Sequence, residues 1–336
     1  MASTKIKCVP RFAAPTSDIP TGAQAYERML IEAISPDVDV QPALCDPRKP
    51  RWLRFKKLRF LWQNKTGLPQ GDLLITDSTQ FFCGLNIDRF ARRILLVHHV
   101  DSRDTPNRFL QDRIHAHTLR HLCRFDRVVV VADFWRTLFS EHMPAERISV
   151  IHSGYDVEAS NRCAAKDRDA VRKELELPLD KIVVFAGQAC FNKGFTSVLE
   201  RLPKDRFHVF TTGRKDFEAG QDHRELSEEN YLKLLSVADV AAFLPRFNEG
   251  WTRAAHEALL CRVPVVGFDR GGLGDLLRGA GQIVCEGEDA FLACVEEALS
   301  RREELAQVGR AFAESFTVDR FTEEWRSLTR GVCGLA

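Results

Sequence analysis

The sequence predicts an α/β protein with two doubly wound parallel sheets, each in its own domain. Short apolar runs alternate with helical patterns along the chain, and a polar stretch divides this alternation into two series. Such alternation is typical of parallel sheets whose strands are buried on both faces. We place the first domain at 1–155, a linker at 156–178 and the second domain at 179–316. We expect the final helix, 317–336, to pack back on the first domain.

The first series contains six strand-like runs, which are IKCVP, VDVQPAL, DLLITD, ILLVHHV, RVVVVAD and ISVIHSG. Its clearest helix runs from Gly22 to Ile34, where apolar side chains such as Tyr26 and Leu30 recur at helical spacing. Ligands of open parallel sheets bind beyond the carboxyl ends of the strands. The residues at these positions are candidates for a site, and they are Thr21, Gly22, His98, His99, Ser153 and Gly154.

The second series contains the runs KIVVFAG, FHVFTTG, DVAAFLP, PVVGF and GQIVCE. A helix is predicted from Thr252 to Leu260, with Thr252 as its capping residue. Gly271 and Gly272 predict a second tight turn from strand to helix, and a long helical tail follows from Asp289.

Composition indicates a globular, cytosolic protein and gives little support to a metal site. Lys and Arg number 48 and Asp and Glu 47, and no apolar run reaches the length of about 18 residues that spans a membrane. The ten cysteines form no Cys-x-x-Cys pair, so we expect reduced thiols. Two patterns mimic metal ligands, the Asp37–Asp39 triplet and the HAHTLRH stretch with His115, His117 and His121. We expect a chance turn at the first, no zinc at the second, and no cofactor.

Two glutamates stand on either side of a predicted helix start. Glu249 precedes Gly250 in a loop, whereas Glu257 lies in the body of the helix, so the two carboxylates contact different parts of an extended ligand. The helix start between them offers free backbone amides and the positive end of the helix dipole to an anion such as a diphosphate. The alternative is an amphipathic helix whose acids are merely solvated.

Further motifs give the chain a family resemblance. FAGQACFNKG opens the second series, PTGAQAYERML begins the first helix, LLVHH ends a strand in histidine, and VIHSGYD stands between the domains. Together with the two glutamates, the PVV run and the glycine pair, they make the whole chain resemble the retaining glycosyltransferases of family 4. The resemblance implies the GT-B fold, in which two Rossmann-like domains face a cleft.

The resemblance also implies roles for individual residues. Glu257 would hold the ribose of a nucleotide sugar, Glu249 the hydroxyls of the donor sugar, and Lys193 the diphosphate. His98 or His99 would lie beside the donor sugar, and these two histidines join Glu249 and Lys193 as the candidate catalytic residues. Thr21 and Gly22 would form the first loop near the acceptor. The residues assigned to donor binding are Gly187, Gln188, Lys193, Gly194, Gly213, Arg246, Glu249, Gly250, Trp251, Thr252, Arg253 and Glu257.

The chain departs from the family pattern at the first strand of the second domain. Gln188 stands where family members usually carry an arginine that binds phosphate. Arg246, Arg253 or Arg214 could supply the missing cation. Asp275 also stands where glutamate is commoner.

A strongly basic segment lies in the first domain. The stretch from Arg48 to Lys65 contains eight cations, no acid and four aromatic residues, which predicts one basic helix. Such a helix can lie on an anionic membrane or bind an anionic acceptor, with Arg54, Lys56 and Lys57 as contacts. The alternative is a helix that packs on its own domain while its cations stay solvated.

These observations predict a retaining, metal-independent glycosyltransferase. It would move a sugar from a UDP- or GDP-type donor to a glycan or lipid-linked glycan, in bacterial surface polysaccharide or glycoconjugate biosynthesis. We expect a cytoplasmic enzyme, peripheral on the inner membrane face, and no nucleic-acid partner. The alternatives are a weakly active or inactive GT-B protein that binds nucleotide sugars, and a GT-B sugar-nucleotide epimerase or phosphorylase.

Overall fold

The structure is a computed structural model that describes residues 5–14, 21–46, 49, 55–101, 103, 108–164, 167–216 and 222–335, without the side chains of Lys56, Lys57 and Glu228. The chain divides into two compact units. The first contains the described residues of Met1–Ser102, Asn107–Gly154 and Val318–Ala336. The second contains those of Arg103–Pro106 and Tyr155–Thr317.

The first unit is built on a sheet in which the described strands are all parallel. The strands are β1 (Lys7–Arg11), β2 (Asp39–Val40), β3 (Leu73–Asp77), β4 (Arg92–Val97), β5 (Arg127–Val130) and β6 (Ile148–Val150). They lie in the order β2-β1-β3-β4-β5-β6. The accompanying helices are α1 (Gly22–Ile34), α2 (Lys56–Thr66), α3 (Ser78–Phe82), α4 (Arg108–Arg120) and α5 (Asp133–Ser140). Each predicted strand run of the first series therefore contains a strand or part of one.

The second unit repeats the architecture with a different strand order. Its strands are β7 (Ile182–Phe185), β8 (Phe207–Thr212), β9 (Asp222–Arg224), β10 (Val240–Phe243), β11 (Val265–Phe268) and β12 (Ile283–Cys285). They are parallel, in the order β12-β11-β10-β7-β8-β9. Its helices are α6 (Val157–Ala164), α7 (Arg168–Glu174), α8 (Phe195–Arg201), α9 (Glu228–Leu235), α10 (Arg253–Leu260), α11 (Gly272–Gly279), α12 (Phe291–Ser300) and α13 (Arg302–Ala313). The short polar strand β9 was not predicted, because its three residues show no apolar pattern.

The polar segment predicted as a linker, 156–178, forms part of the second unit. It contains α6 and α7, and Arg172 of α7 donates hydrogen bonds to the Val237 carbonyl and to Asp239. The Arg172 side chain is buried, so these charge-assisted bonds compensate for its lost hydration. The segment is therefore attached to the second unit by ion pairs in addition to buried apolar residues such as Val171 and Leu177.

The predicted basic helix is shorter than expected. Residues 48 and 50–54, including Arg54, lie outside the described residues, and α2 begins at Lys56. Phe55 has an extended backbone and provides no side-chain cap, so one continuous helix from Arg48 to Lys65 is wrong. The extended backbone at Phe55 therefore sets the start of the helix. No helix in the described part of the chain is both long and apolar enough to cross a membrane.

The last helix, α14 (Val318–Cys333), packs on α1 within the first unit. Its Trp325 is fully buried and donates through Nε1 to the Tyr26 hydroxyl, at 3.1 Å. Tyr26 in turn donates to the Ile151 carbonyl at 2.8 Å. At the rim, Arg326 and Arg330 donate to Asp37 and hold the pKa of that carboxyl well below its usual range. Asp37, the first acid of the metal-like triplet, is thus engaged by arginines.

Replacing Trp325 tests how strongly α14 is attached. We expect Trp325→Ala to lower the free energy of unfolding by about 3–5 kcal/mol, because it leaves a large cavity and removes the hydrogen bond that the Tyr26 hydroxyl accepts. Trp62→Ala is the matched control, since that side chain is 44% exposed, and should cost less than about 1 kcal/mol. Urea denaturation followed by circular dichroism measures both. Equal losses would contradict the packing of α14 on α1.

Candidate functional site

The second sheet reverses its strand order between two strands that carry the central site residues. Strands β8 and β9 extend from one side of β7, and β10, β11 and β12 from the other. At such a topological switch point the loops beyond the carboxyl ends of the two middle strands diverge and leave a crevice for a ligand. Lys193 follows β7 and Glu249 follows β10. The fold therefore brings together two residues that are 56 positions apart.

The loop after β7 depends on a glycine just beyond Lys193. Gly194 has a φ of 74°, and a Cβ atom there would lie 1.8 Å from the Leu244 carbonyl oxygen. Only glycine fits this approach, because any side chain would clash with the backbone that follows β10. The contact presses the β7 loop against the β10 loop. It also holds Lys193 at the edge of the sheet, next to the start of α8.

Lys193 and Glu249 form a close ion pair at this point. The Lys193 ammonium lies 2.7 Å from Oε1 and 2.9 Å from Oε2 of Glu249, so both oxygens accept a hydrogen bond. Glu249 is only 7% exposed, and the ammonium also lies 4.7 Å from the centre of the Phe247 ring. The aromatic face and the low exposure strengthen the attraction between the charges.

The backbone of Glu249 is fixed by the turn after β11. Its N–H donates to the Arg270 carbonyl at 3.3 Å, and its carbonyl accepts from Gly272 at 3.0 Å. Gly271 between them has a φ of 60° and a ψ of −135°, a conformation essentially reserved for glycine. A Cβ at Gly271 would lie 2.5 Å from the Glu249 carbonyl oxygen. The predicted glycine turn is therefore present, and it supports the loop that carries Glu249.

Glu257 lies on α10 and is held by two donors. The Tyr231 hydroxyl donates to its Oε2 at 2.9 Å, and Arg253 donates to its Oε1 at 3.2 Å. Burial, and then the carboxylate itself, raise the pKa of Tyr231 well above its ordinary value, so the hydroxyl stays protonated as a donor. Tyr231 was not identified from the sequence, because its contact with Glu257 spans 26 positions and belongs to no motif.

A layer of aromatic rings packs around His256 of α10. The Tyr155 and His256 rings stack with centroids 3.9 Å apart, and the Arg253 guanidinium lies 4.8 Å from the centre of the Tyr155 ring. Trp251 donates through Nε1 to Nδ1 of His256 at 3.3 Å. Nε2 of His256 therefore carries the proton and donates to the Ala313 carbonyl at 3.1 Å. The Trp251 side chain contacts this layer, and the residue is 8% exposed.

The start of α10 differs from the prediction in one respect. Thr252 is the N-cap residue, but its side chain makes no capping hydrogen bond, and its hydroxyl is buried without a partner. The predicted cap is therefore wrong. Thr252 has a ψ of 90°, whereas a capping side chain needs the more extended backbone that is usual at this position.

Gln188 occupies the position at which the resemblance to family 4 leads one to expect arginine. Gly187, just before it, has a φ of 65°. Gly213 is also close, since a Cβ added to Gly213 would lie 3.4 Å from Nε2 of the Gln188 side chain. Of the proposed substitutes, Arg214 donates to Asp216 at 2.7 Å and Arg253 is engaged by Glu257. Arg246 lies with its guanidinium 4.0 Å from the centre of the Phe191 ring.

The candidate histidines belong to the first unit and contact different neighbours. His98 follows β4, and its Nε2 lies 3.6 Å from Oε1 of Glu27 on α1, which is too long for a hydrogen bond. Its ring also meets the Tyr26 ring edge-on. Burial, and then the charge of His99, lower the pKa of His115 on α4 to about 4. Adjacent side chains of an extended chain point in opposite directions, so the two histidines face different neighbours.

The first loop ends in a helix cap. Thr21 and Gln24 form a reciprocal capping box, in which the Thr21 hydroxyl accepts from the Gln24 N–H and the Gln24 side chain accepts from the Thr21 N–H. Gly22 is the first residue of α1 and is exposed, as Thr21 is. The Thr21 side chain therefore caps α1, which was not predicted from the sequence.

Two charged residues at the switch point of the first sheet were also missed. Arg11 ends β1 and is 2% exposed, with Nε donating to Asn64 at 3.0 Å and a buried Nη2 that has no partner. Asp77 ends β3 and caps α3 by accepting from Thr79 and Gln80. Burial, and then the charge of Glu27, raise the pKa of Asp77 to about 7. Asp77 had been assigned only to a strand run, and Arg11 had been assigned to no element.

A comparison with solved structures finds the same architecture along nearly the whole chain. Sucrose-phosphate synthase from Thermosynechococcus elongatus matches with a TM-score of 0.77 at 15% identity, over 98% of this chain and 100% of its own. Anabaena HepE in complex with UDP-glucose matches with a TM-score of 0.72 at 14% identity, over 97% and 100%. Trehalose 6-phosphate synthase from Burkholderia multivorans matches with a TM-score of 0.68 at 13% identity, over 99% of each chain.

The chain has the GT-B fold. The two parallel sheets and the agreement over whole chains confirm the predicted fold class. No protein-family model and no curated protein matches the sequence. At these identities the likeness concerns the fold, so membership of family 4 and the roles of the site residues stay predictions.

A double-mutant cycle tests the ion pair at the switch point. We expect Lys193→Met and Glu249→Gln to be coupled by about 1–3 kcal/mol in the free energy of unfolding, because removing one partner leaves the other charge buried. The exposed pair Arg206–Glu296 in the same unit is the control, with an expected coupling below about 1 kcal/mol. Denaturant titration of the four variants of each pair measures both couplings. Similar small couplings would show that the Lys193–Glu249 pair is solvated.

Proposed function

We propose that this protein is a retaining glycosyltransferase of family 4, which transfers a sugar from a nucleotide diphosphate to a hydroxyl acceptor without a metal ion. The observation that carries the proposal is the Lys193–Glu249 pair at the switch point of the second sheet. Glu257 lies on α10, the helix that follows Glu249. A cation beside two carboxylates suits a ligand with a diphosphate and two sets of sugar hydroxyls. The structure of HepE with UDP-glucose supports a donor of the UDP type, and GDP is the alternative.

Donor binding would exchange the partners of the ion pair. Lys193 would turn from Glu249 to the diphosphate, and Glu249 would then accept hydrogen bonds from the sugar hydroxyls. Glu257 would hold the ribose, because Tyr231 and Arg253 fix its orientation. The backbone amides at the start of α10 are available to phosphate oxygens, since the Thr252 side chain does not cap them.

The chemistry then follows from where charge develops. The bond between the anomeric carbon and the diphosphate breaks, and negative charge accumulates on the diphosphate. Lys193 and the amides of α10 stabilise that charge, which lowers the barrier. The acceptor oxygen forms the new bond on the same face of the sugar, and its proton passes to the leaving phosphate. No protein base is required for this step.

Lys193→Met tests the donor site. We expect the variant to lower kcat/KM for UDP release by about 100- to 1,000-fold, because a preorganised charge at the leaving group is lost. UDP release from UDP-glucose, with a membrane extract as the acceptor source, measures the rate. Lys204→Met is the control, because Lys204 is an exposed lysine of the same unit. Undiminished release by the Lys193 variant would refute the proposed role.

A second candidate function is nucleotide-sugar binding without transfer, favoured by Gln188 in place of the usual arginine. UDP would then raise the melting temperature of the wild-type protein, and Lys193→Met would abolish the rise, while no extract supports UDP release. Free epimerised sugar, or a requirement for inorganic phosphate, would instead indicate the epimerase or phosphorylase alternatives.

We also propose that the acceptor is a glycan or lipid-linked glycan of surface polysaccharide or glycoconjugate biosynthesis, met at a membrane. Three apolar side chains are exposed in the basic segment, Phe55 just before α2 and Leu58 and Trp62 on it, at 68%, 44% and 44%. The spacing of four residues puts Leu58 and Trp62 on one helix face, whereas Phe60 and Asn64 are buried. The surrounding segment carries eight cations and no acid, which suits an anionic lipid surface.

Vesicle sedimentation tests this attachment. We expect phosphatidylglycerol vesicles at low salt to retain the protein, and both Phe55→Ser/Trp62→Ser and Arg54→Gln/Lys56→Gln/Lys57→Gln to weaken retention at least severalfold. Leu179→Ser is the control, because it changes an exposed apolar residue of the second unit that is 48% exposed. Equal recovery with phosphatidylcholine vesicles would contradict the electrostatic attachment.

A further inference from the structure

A pocket lies beyond the carboxyl ends of β10, β11 and β12 in the second unit. Its volume is about 640 Å³, within the range of about 300–1,000 Å³ that is typical of small-molecule sites. Six of its lining residues are Pro245, Arg246, Phe268, Arg270, Glu286 and Glu288. It is therefore large enough for a sugar residue, and its walls combine apolar side chains with charged ones.

The pocket adjoins the loop that carries Glu249. The Arg270 carbonyl accepts the Glu249 N–H at 3.3 Å, and Arg246 precedes Glu249 by three residues on the loop after β10. Both arginines are exposed. The pocket would therefore lie beside a sugar bound by Glu249. It lies towards β11 and β12, whereas β8 and β9 lie at the other edge of the sheet.

Two guanidinium groups of the pocket have no carboxylate partner among the described residues. Neither Arg246 nor Arg270 forms an ion pair there, and Arg246 instead lies over the Phe191 ring and makes a long contact of 3.5 Å with Ser197. Two pocket acids are already engaged, Asp269 by Arg278 and Glu288 by Arg201.

Glu286 is the remaining acid of the lining, and it is exposed. The unpaired charges of the pocket are therefore two positive and one negative. Guanidinium groups bind carboxylates and phosphates through paired hydrogen bonds, so the pocket suits an anionic group.

We propose that this pocket is a subsite for an acidic sugar residue, one that carries a carboxylate or a phosphate. The inference rests on the proposed function, and it specifies the substrate of the same site. The acidic residue is either the transferred sugar of the donor or a sugar of the acceptor that lies next to it. Both sources present the same chemistry to Arg270 and Arg246.

Titration calorimetry with Arg270→Gln and Arg270→Lys tests the proposal. The donor arm compares UDP-glucuronate with UDP-glucose. The acceptor arm compares methyl glucuronide and glucose 6-phosphate with methyl glucoside, each in the presence of saturating UDP. Arg301→Gln is the control, because Arg301 is a partly exposed arginine of the same unit that does not line the pocket.

We expect Arg270→Gln to reduce the preference for the acidic ligand over its neutral counterpart about tenfold in one arm, because one charged hydrogen bond is lost. Arg270→Lys should retain part of the preference, and Arg301→Gln all of it. A change in the donor arm identifies the transferred sugar, and a change in the acceptor arm identifies the acceptor. If UDP binds but neither preference changes, the subsite is overturned. If UDP itself does not bind, the proposed function fails first.

Discussion

The contact between Lys193 and Glu249 is the interaction on which the candidate site depends. It joins the loops that follow β7 and β10, the two strands between which the second sheet reverses its order. These loops would otherwise diverge at that edge. The ion pair, the aromatic face of Phe247 and the approach of Gly194 to Leu244 hold them together. Because Glu249 is nearly buried, an unpaired carboxylate there would be costly, so the pair defines the geometry of the site before any ligand binds.

The surroundings of this pair serve to keep polar groups in fixed orientations. The stacked Tyr155 and His256 rings support Arg253, and Trp251 fixes the tautomer of His256. Arg253 then orients Glu257 together with a tyrosine that burial keeps protonated. In this series of contacts, neighbouring residues hold each polar side chain in one donor or acceptor role. Such preorganisation lets a site meet developing charge without rearranging.

The two sheets show how one architecture can hold different chemistry. Both are parallel, but the first follows the order 2-1-3-4-5-6, whereas the second, counted from β7, follows 6-5-4-1-2-3. The switch point of the first sheet lies between β1 and β3, where Arg11 is buried and Asp77 is half-buried. In the second sheet the corresponding edge holds an ion pair and a glycine turn. The residues after the strands, and not the sheets, therefore distinguish the two sites.

The sequence by itself determined the strands, the α1 helix and the positions of Lys193, Glu249 and Glu257, because apolar periodicity and turn glycines are local properties that short windows contain. It could not give β9, whose three polar residues have no pattern, or the true start of α2, which follows the extended backbone of Phe55. The roles of Tyr231 and His256, and the pocket at Arg270, were decided only by tertiary structure. Their contacts join residues tens of positions apart, and no local pattern specifies which side chains meet when separate strands and helices pack together.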